Sequence, residues 1–174
     1  MSLSPSQRLA SVDDLLLYRM GRLSSTAGAM VVRLCEGGHG VTRREWGVIA
    51  KLHGQAGLLP SELAEQMHRD RARTSRTVTA LLRKGLIERV TLPNDRRSVR
   101  ISLSASGQRL YDALMPQVQA INGHILSALS SDEAAQFDGL LDRLQAQVQV
   151  LQDQLHPVLP KTHRHRGRSV PGKP

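Results

Sequence analysis

Residues 68–103 read HRDRARTSRTVTALLRKGLIERVTLPNDRRSVRISL, and the fold turns on them. Asp70 is placed to cap a helix over about 71–84, because its carboxylate can accept from backbone N–H groups that have no partner inside the helix; Gly85 ends it. Residues 86–91 then have strand propensity. Val99, Ile101 and Leu103 alternate with Ser98, Arg100 and Ser102, the period-two pattern of a half-buried strand. The run from Pro93 through Asn94, Asp95 and Arg96 to Arg97 is turn-forming. The stretch therefore predicts a basic helix followed by a two-stranded hairpin with a charged tip. Residues 69–100 hold 10 Lys/Arg and 3 Asp/Glu, net +7, against +1 for residues 1–68, −4 for 101–155 and +5 for 156–174. One basic segment on a nearly balanced body is the electrostatic footprint of a phosphate-backbone binder.

Working upstream, Thr42 and Glu45 form a capping-box pattern ahead of a short helix over about 43–53, stopped by Gly54 and Gly57. Pro60 suits the first position of a helix over 60–67, with Leu63, Ala64 and Met67 turned inward. Two short helices with a tight break, the second rich in Arg and Thr, predict a helix-turn-helix. Further upstream, Leu9, Val12, Leu16, Met20, Leu23, Ala27, Met30 and Leu34 make one apolar stripe, predicting a single long helix that the glycines after Glu36 terminate. Downstream, Ser104 caps a helix over about 105–128 with Leu110, Leu114, Val118, Ile121, Ile125 and Leu129 on one stripe. Ser130 and Glu133 form a second capping box, opening a last helix on which Phe137, Leu141, Leu144, Val148, Leu151 and Leu155 follow coiled-coil-like spacing. Stripes this long are hard to bury on a small lobe, so part of them should meet a second chain. The resulting fold class is mainly α with a small β-hairpin wing: a winged helix-turn-helix with long N- and C-terminal dimerisation helices. The divisions are an N-terminal dimerisation helix over 1–40, a DNA-binding lobe over 41–103, C-terminal dimerisation helices over 104–155, and a disordered basic tail over 156–174.

Composition narrows the partners. The aromatics are Tyr18, Trp46, Tyr111 and Phe137 alone, too few for the stacking platforms that hold single-stranded nucleic acid. No apolar run approaches the roughly 20 residues of a membrane span, and no secretory leader is expected. The single cysteine, Cys35, excludes an internal disulfide and suits a reducing compartment such as the bacterial cytoplasm, where a duplex-DNA binder would be nucleoid-associated. No nucleophile–base pattern, phosphate loop or metal-ligand cluster stands out, so neither an enzyme nor a cofactor is expected. His156, His163 and His165 read as part of a solvated tail, and Cys35 as inert.

At 100° per residue, Thr74, Val78 and Leu81 fall on one side of the basic helix and must face the lobe. Ala72, Arg76, Thr79 and Arg83 then face away, flanked by Arg73 and Ser75. An Arg can fork onto guanine O6 and N7, and Ser or Thr can reach bases or phosphates. The candidate DNA-binding set is Arg71, Arg73, Ser75, Arg76, Thr79, Arg96 and Arg97, with Arg96 assigned to backbone phosphate. Asp95 cannot favour phosphate and is read as orienting a nearby Arg by a salt bridge. By itself, such a helix face also fits an ordinary solvated surface, and the whole pattern also fits a winged-helix protein-interaction module that meets an acidic partner.

Three motifs occur in order: Leu81 to Arg89 (LLRKGLIER), Pro93 to Arg97 (PNDRR), and Val99 to Gly107 (VRISLSASG). Together with the order of helices they make residues 9–155 resemble the MarR (multiple antibiotic resistance regulator) family of winged-helix transcription factors. Leu59 stands where the family often has a Thr cap, Arg69 and Thr74 where it often has apolar residues, and Ser104 replaces a usual Thr. The resemblance implies a homodimer whose terminal helices interlock. It implies a recognition helix in each major groove of a roughly palindromic double-stranded operator, with Arg97 inserted in the minor groove. It also implies a response to a small aromatic acid held between lobe and dimer helices. Tyr18, Arg19, Trp46 and His53 fall near that pocket and are the candidate ligand-binding residues. A repressor relieved by such an acid is the expected function.

Overall fold

The computed structural model describes residues 11–67, 70–92, 95–155 and 157–160, with backbone alone at 92 and 95–98. The tail histidines 156, 163 and 165 and the residues before Ser11 lie outside it. The first helix departs from the expected continuous rod. Asp14 Oδ2 accepts from the Ser11 N–H at 3.0 Å and closes a short 3₁₀ turn over Val12–Asp14. Leu15 is then extended, and α1 runs over Leu16–Arg33. The apolar period at Val12 and Leu16 continues through this break, but a local side-chain hydrogen bond competes with the helix there. At its other end α1 widens into a π-helical turn over Leu34–Gly38, which buries Cys35, and the chain reverses at Gly40 with φ 64. A side chain at Gly40 would be strained in that left-handed conformation.

The lobe is built as expected. In α2 (Arg43–Leu52), the Thr42 N–H donates to Glu45 Oε2 at 2.7 Å and the Glu45 N–H to Thr42 Oγ1 at 3.2 Å. Helix α3 spans Pro60–Gln66, and the Leu59 N–H donates to Glu62 Oε2 at 2.8 Å; this is one half of a capping box, and Leu59 has no side-chain oxygen to make the other half as a Thr would. In α4 (Arg71–Arg83), the Arg73 N–H donates to Asp70 Oδ1 at 3.0 Å. Ile49, Leu52, Leu63, Leu81 and Leu114 are fully buried, and Val78, Ile87 and Ile101 close the core around them.

Strands β1 (Ile87–Leu92) and β2 (Asp95–Leu103) pair antiparallel, with Ile87 opposite Leu103, Arg89 opposite Ile101 and Thr91 opposite Val99. Here the expected boundaries shift. Asp95, Arg96 and Arg97 belong to the start of β2 and not to the turn, and the register slips at Thr91 and Leu92. Ile87, Arg89, Val99, Ile101 and Leu103 share a face, but that face outruns the lobe. Ile101 is buried while Val99 is 46% exposed, so the expected half-buried alternation stops one pair short. On the other face, Arg100 Nη1 donates to the Gly57 carbonyl at 3.1 Å and Glu62 Oε2 at 3.2 Å, tying the hairpin to α3. Backbone bonds between Leu58 and Ile101, at 3.0 and 2.8 Å, add a third point of attachment.

Helix α5 spans Ala105–Leu126 and passes through Pro116; Leu129, expected on its stripe, falls beyond its end. Ser104 ties its first turn to the end of α4: its hydroxyl donates to the Gly85 carbonyl at 2.6 Å and accepts from the Gly107 N–H at 3.1 Å. Ser104→Ala removes both bonds and is expected to cost about 1–2 kcal/mol, read as a lower urea midpoint at unchanged m-value. The chain divides into two compact units between Ile125 and Leu126. The second contains α6 (Ser131–Leu155), capped by Ser130 and Glu133 as expected. Phe137, Leu144, Val148, Leu151 and Leu155 of α6 are all exposed, between 37% and 54%.

Candidate nucleic-acid interface

Helix α4 presents two faces of opposite character. Thr74, Val78 and Leu81 are buried at 4%, 6% and 0% exposure. Thr74 tolerates that position because its hydroxyl donates to the Asp70 carbonyl at 3.0 Å, leaving no stranded polar group. Arg71, Ala72, Arg73, Ser75, Arg76, Thr79 and Arg83 are all exposed. None of these arginines makes an ion pair with a described carboxylate; the ion pairs among the described residues are Arg22–Asp13, Lys84–Glu45 and Arg100–Glu62. Four exposed cations on one helix, with no ion pair among the described residues, form a surface ready for phosphate or base edges.

Local bonding refines what each side chain offers. Arg76 Nε donates to the Ala72 carbonyl at 3.4 Å, laying the guanidinium stem along the helix while its Nη groups stay available. Thr79 Oγ1 donates to the Ser75 carbonyl at 3.0 Å, so the hydroxyl proton is used inside the helix. Outward, Thr79 presents lone pairs and a methyl group, and a methyl packs well on the thymine C5-methyl.

Two concavities flank α4. One, about 390 Å³, lies between helix and hairpin and is lined by Ser75, Val78, Thr79, Leu82, Arg89 and Val99. Arg89 is exposed and without an ion-pair partner among the described residues, so it joins the cationic surface. It was missed by reasoning that stopped at the wing tip, although strand alternation from Ile87 places it on the α4 side. The other cleft, about 820 Å³, runs between α1, α2 and the start of α4; Arg43, Arg44, Arg73, Thr77, Val48 and Met67 are among its walls. The side chains of Asp95, Arg96 and Arg97, and with them the expected salt bridge, lie outside the described residues.

The expected ligand residues fall in two places. The His53 ring stacks on Tyr111 with centroids 3.7 Å apart, and Trp46 stacks on the same Tyr111 at 5.6 Å. Trp46 is core, at 6% exposure. Tyr18 is 55% exposed and lines a shallow groove with Asp13, Leu17 and Arg22, next to the exposed Arg19 on α1. Tyr111, the residue that joins His53 to Trp46, carries no local signal beyond its place beside Leu110 on the α5 stripe. Cys35 is fully buried. Burial, with Glu36 nearby, pushes its thiol above the ordinary range against the smaller opposing pull of Arg43, which disfavours the reactive thiolate. No described helix is long and apolar enough to cross a membrane.

A helix-turn-helix whose second helix is cationic outward, followed by a hairpin fixed to it, defines a winged-helix protein. Residues 41–99, the helix-turn-helix and hairpin, match the sequence model of the MarR family. A Thauera aromatica protein described as a candidate transcriptional regulator for the hcr operon is 35% identical over 112 residues, which is 62% of this chain and 65% of that one. The multiple antibiotic resistance protein MarR of Escherichia coli K12 is 27% identical over 105 residues, 60% of this chain and 73% of MarR. The crystal structure of the S. aureus MepR–DNA complex shares the fold with a TM-score of 0.71 at 24% identity, covering 79% of this chain and 99% of MepR.

Proposed function

We propose that two copies of this chain bind a roughly palindromic duplex operator in the bacterial cytoplasm, at the nucleoid, and repress transcription until a small aromatic acid releases them. The observation that carries the DNA contact is the outward face of α4, where Arg71, Arg73, Arg76 and Arg83 are exposed and make no ion pair among the described residues, with Ser75 and Thr79 between them. MepR, of the same fold, was solved as a DNA complex, which supports DNA as the partner of this face. Dimerisation is supported by the apolar residues each end of the chain leaves in water: Leu16, Leu23 and Met30 on α1, and Phe137, Leu144, Val148 and Leu151 on α6.

For the acid, the cleft behind α4 offers guanidinium groups at Arg43, Arg44 and Arg73 beside apolar walls at Val32, Val48 and Met67; these guanidiniums outnumber the two carboxylates of the lining, Glu36 and Asp70, and suit a carboxylate on a ring. An acid that engages Arg73 withdraws it from the operator. A ligand that binds one arrangement of α1 and α4 better than another shifts the population by that difference. The alternatives are His53 and Trp46, which stack on Tyr111, and, at a separate place on α1, Tyr18 and Arg19; the exposed His53 edge favours the first pair. Alanine at Arg43 and at His53 separates the cleft from that pair in a salicylate titration of the operator complex.

Selection from a random DNA pool tests the reading as a whole. An inverted repeat should emerge. Binding without sequence preference would instead favour the interaction module with an acidic partner.

A further inference from the structure

We propose that Lys84 is a positioning residue: it locks the C-terminal end of α4 to the end of α1 and so sets operator specificity without touching DNA. This rests on the DNA-binding reading above. Lys84 is the C-cap of α4. Its Nζ donates to Glu45 Oε2 at 2.8 Å and to the Gly40 carbonyl at 2.9 Å. The same Oε2 accepts from the Thr42 N–H at 2.7 Å. One carboxylate oxygen therefore closes the N-terminus of α2 and holds the C-terminus of α4, while the Gly40 carbonyl belongs to the turn that leaves α1. Three chain segments end on one ammonium.

The direction of this ammonium separates Lys84 from its basic neighbours. The Glu45 side chain is 6% exposed and the Lys84 side chain 39%, so the pair points into the lobe. Burial alone would raise the Glu45 pKa. The hydrogen bonds from Lys84 and the Thr42 N–H, with the Lys84 charge, outweigh it and hold the carboxyl below its ordinary range. A carboxyl so held contributes stability that is complete above its unfolded pKa and is lost as pH falls through the lower folded value. Lys84→Met is accordingly expected to unfold at a higher pH than the wild type in an acid titration followed by circular dichroism.

Specificity depends on the tilt of α4, because a fork onto a base edge is directional while attraction to phosphate is not. Released from Lys84, α4 keeps its cations and loses its angle. The test uses the full chain, the operator selected from the random pool, and an unrelated duplex of equal length, each over a salt series. Lys84→Met should weaken operator binding on the order of tenfold, leave binding to the unrelated duplex unchanged, and keep the wild-type salt slope. Lys84→Arg, which keeps charge and reach, should restore most of the affinity. Glu45→Gln keeps an acceptor at the same place and should give a smaller loss in the same direction, so the idea stays testable if the Met variant folds poorly. A direct phosphate contact would weaken both duplexes together and lower the salt slope by about one, and that result overturns the proposal. So does unchanged operator affinity in both variants. A wild type that prefers no sequence overturns the DNA reading itself, before any variant is compared.

Discussion

Gly107→Ala is expected to destabilise the fold by about 3 kcal/mol or more, a sizeable share of the roughly 5–15 kcal/mol that holds a domain together. Gly107 lies in the first turn of α5 and is buried. A Cβ there would run into the Leu86 carbonyl, with the Leu103 side chain at 3.3 Å behind it. The obstacle is backbone, which cannot turn aside as a side chain can. That backbone is also fixed: the Leu86 carbonyl accepts from the Ser104 N–H at 3.2 Å, and the Leu86 N–H donates to the Leu81 carbonyl at 3.1 Å. Moving α5 away would break its tie to the end of α4. Against this, alanine gains only about 1 kcal/mol of helix propensity over glycine. Gly123, in the same helix, has nothing within 4 Å of its would-be Cβ. Gly123→Ala should therefore stabilise by about 0.5–1 kcal/mol, so one substitution in one helix changes sign with position. Thermal melts of both variants at one protein concentration decide it. Equal melting points for the two variants would sink the close-approach account.

The same contrast explains how much of the fold could be read in advance. Signals that act within one turn were legible: the Thr42–Glu45 and Ser130–Glu133 boxes, the Asp70 cap, and the Thr74, Val78 and Leu81 face of α4. Each is settled by neighbours three or four residues away. The helix break at Leu15 was hidden because the apolar spacing runs through it. The extra length of β2 was hidden because Asp95 and Arg97 look like turn residues until a partner strand is supplied. Pairings over long separations left no trace at all. Lys84 and Glu45 lie 39 residues apart, and nothing near either predicts the other. Within the site, the cationic face of α4 followed from helical angle alone. The ligand residues did not, because the core position of Trp46 and the stacking of His53 depend on Tyr111, which α5 delivers from a different part of the chain.

Arg76→Ala and Arg97→Ala are expected to weaken operator binding most among the surface substitutions, each by about 1–3 kcal/mol, or roughly 5- to 150-fold, with the dimer intact. They should fail in different ways. Arg76 stands in the middle of the outward face of α4, so its loss should relax sequence preference at one base pair in each half-site and leave the rest of the operator readout unchanged. Arg97 lies at the start of β2, in the hairpin that α3 and Leu58 hold in place, and the family resemblance assigns it to the minor groove. A narrow A·T-rich groove concentrates negative potential, so loss of Arg97 should reduce discrimination between A·T-rich and G·C-rich sequence at the operator flanks. Arg89→Ala serves as the comparison: a phosphate contact in the groove between α4 and hairpin should lower affinity evenly for all sequences and reduce the salt slope by about one. Mobility shifts on a panel of operator variants, with sedimentation to check the dimer, read all three. Wild-type affinity in both Arg76→Ala and Arg97→Ala would remove the recognition face from α4 and the hairpin. A uniform loss across every sequence would leave them as electrostatic contacts without a role in base readout.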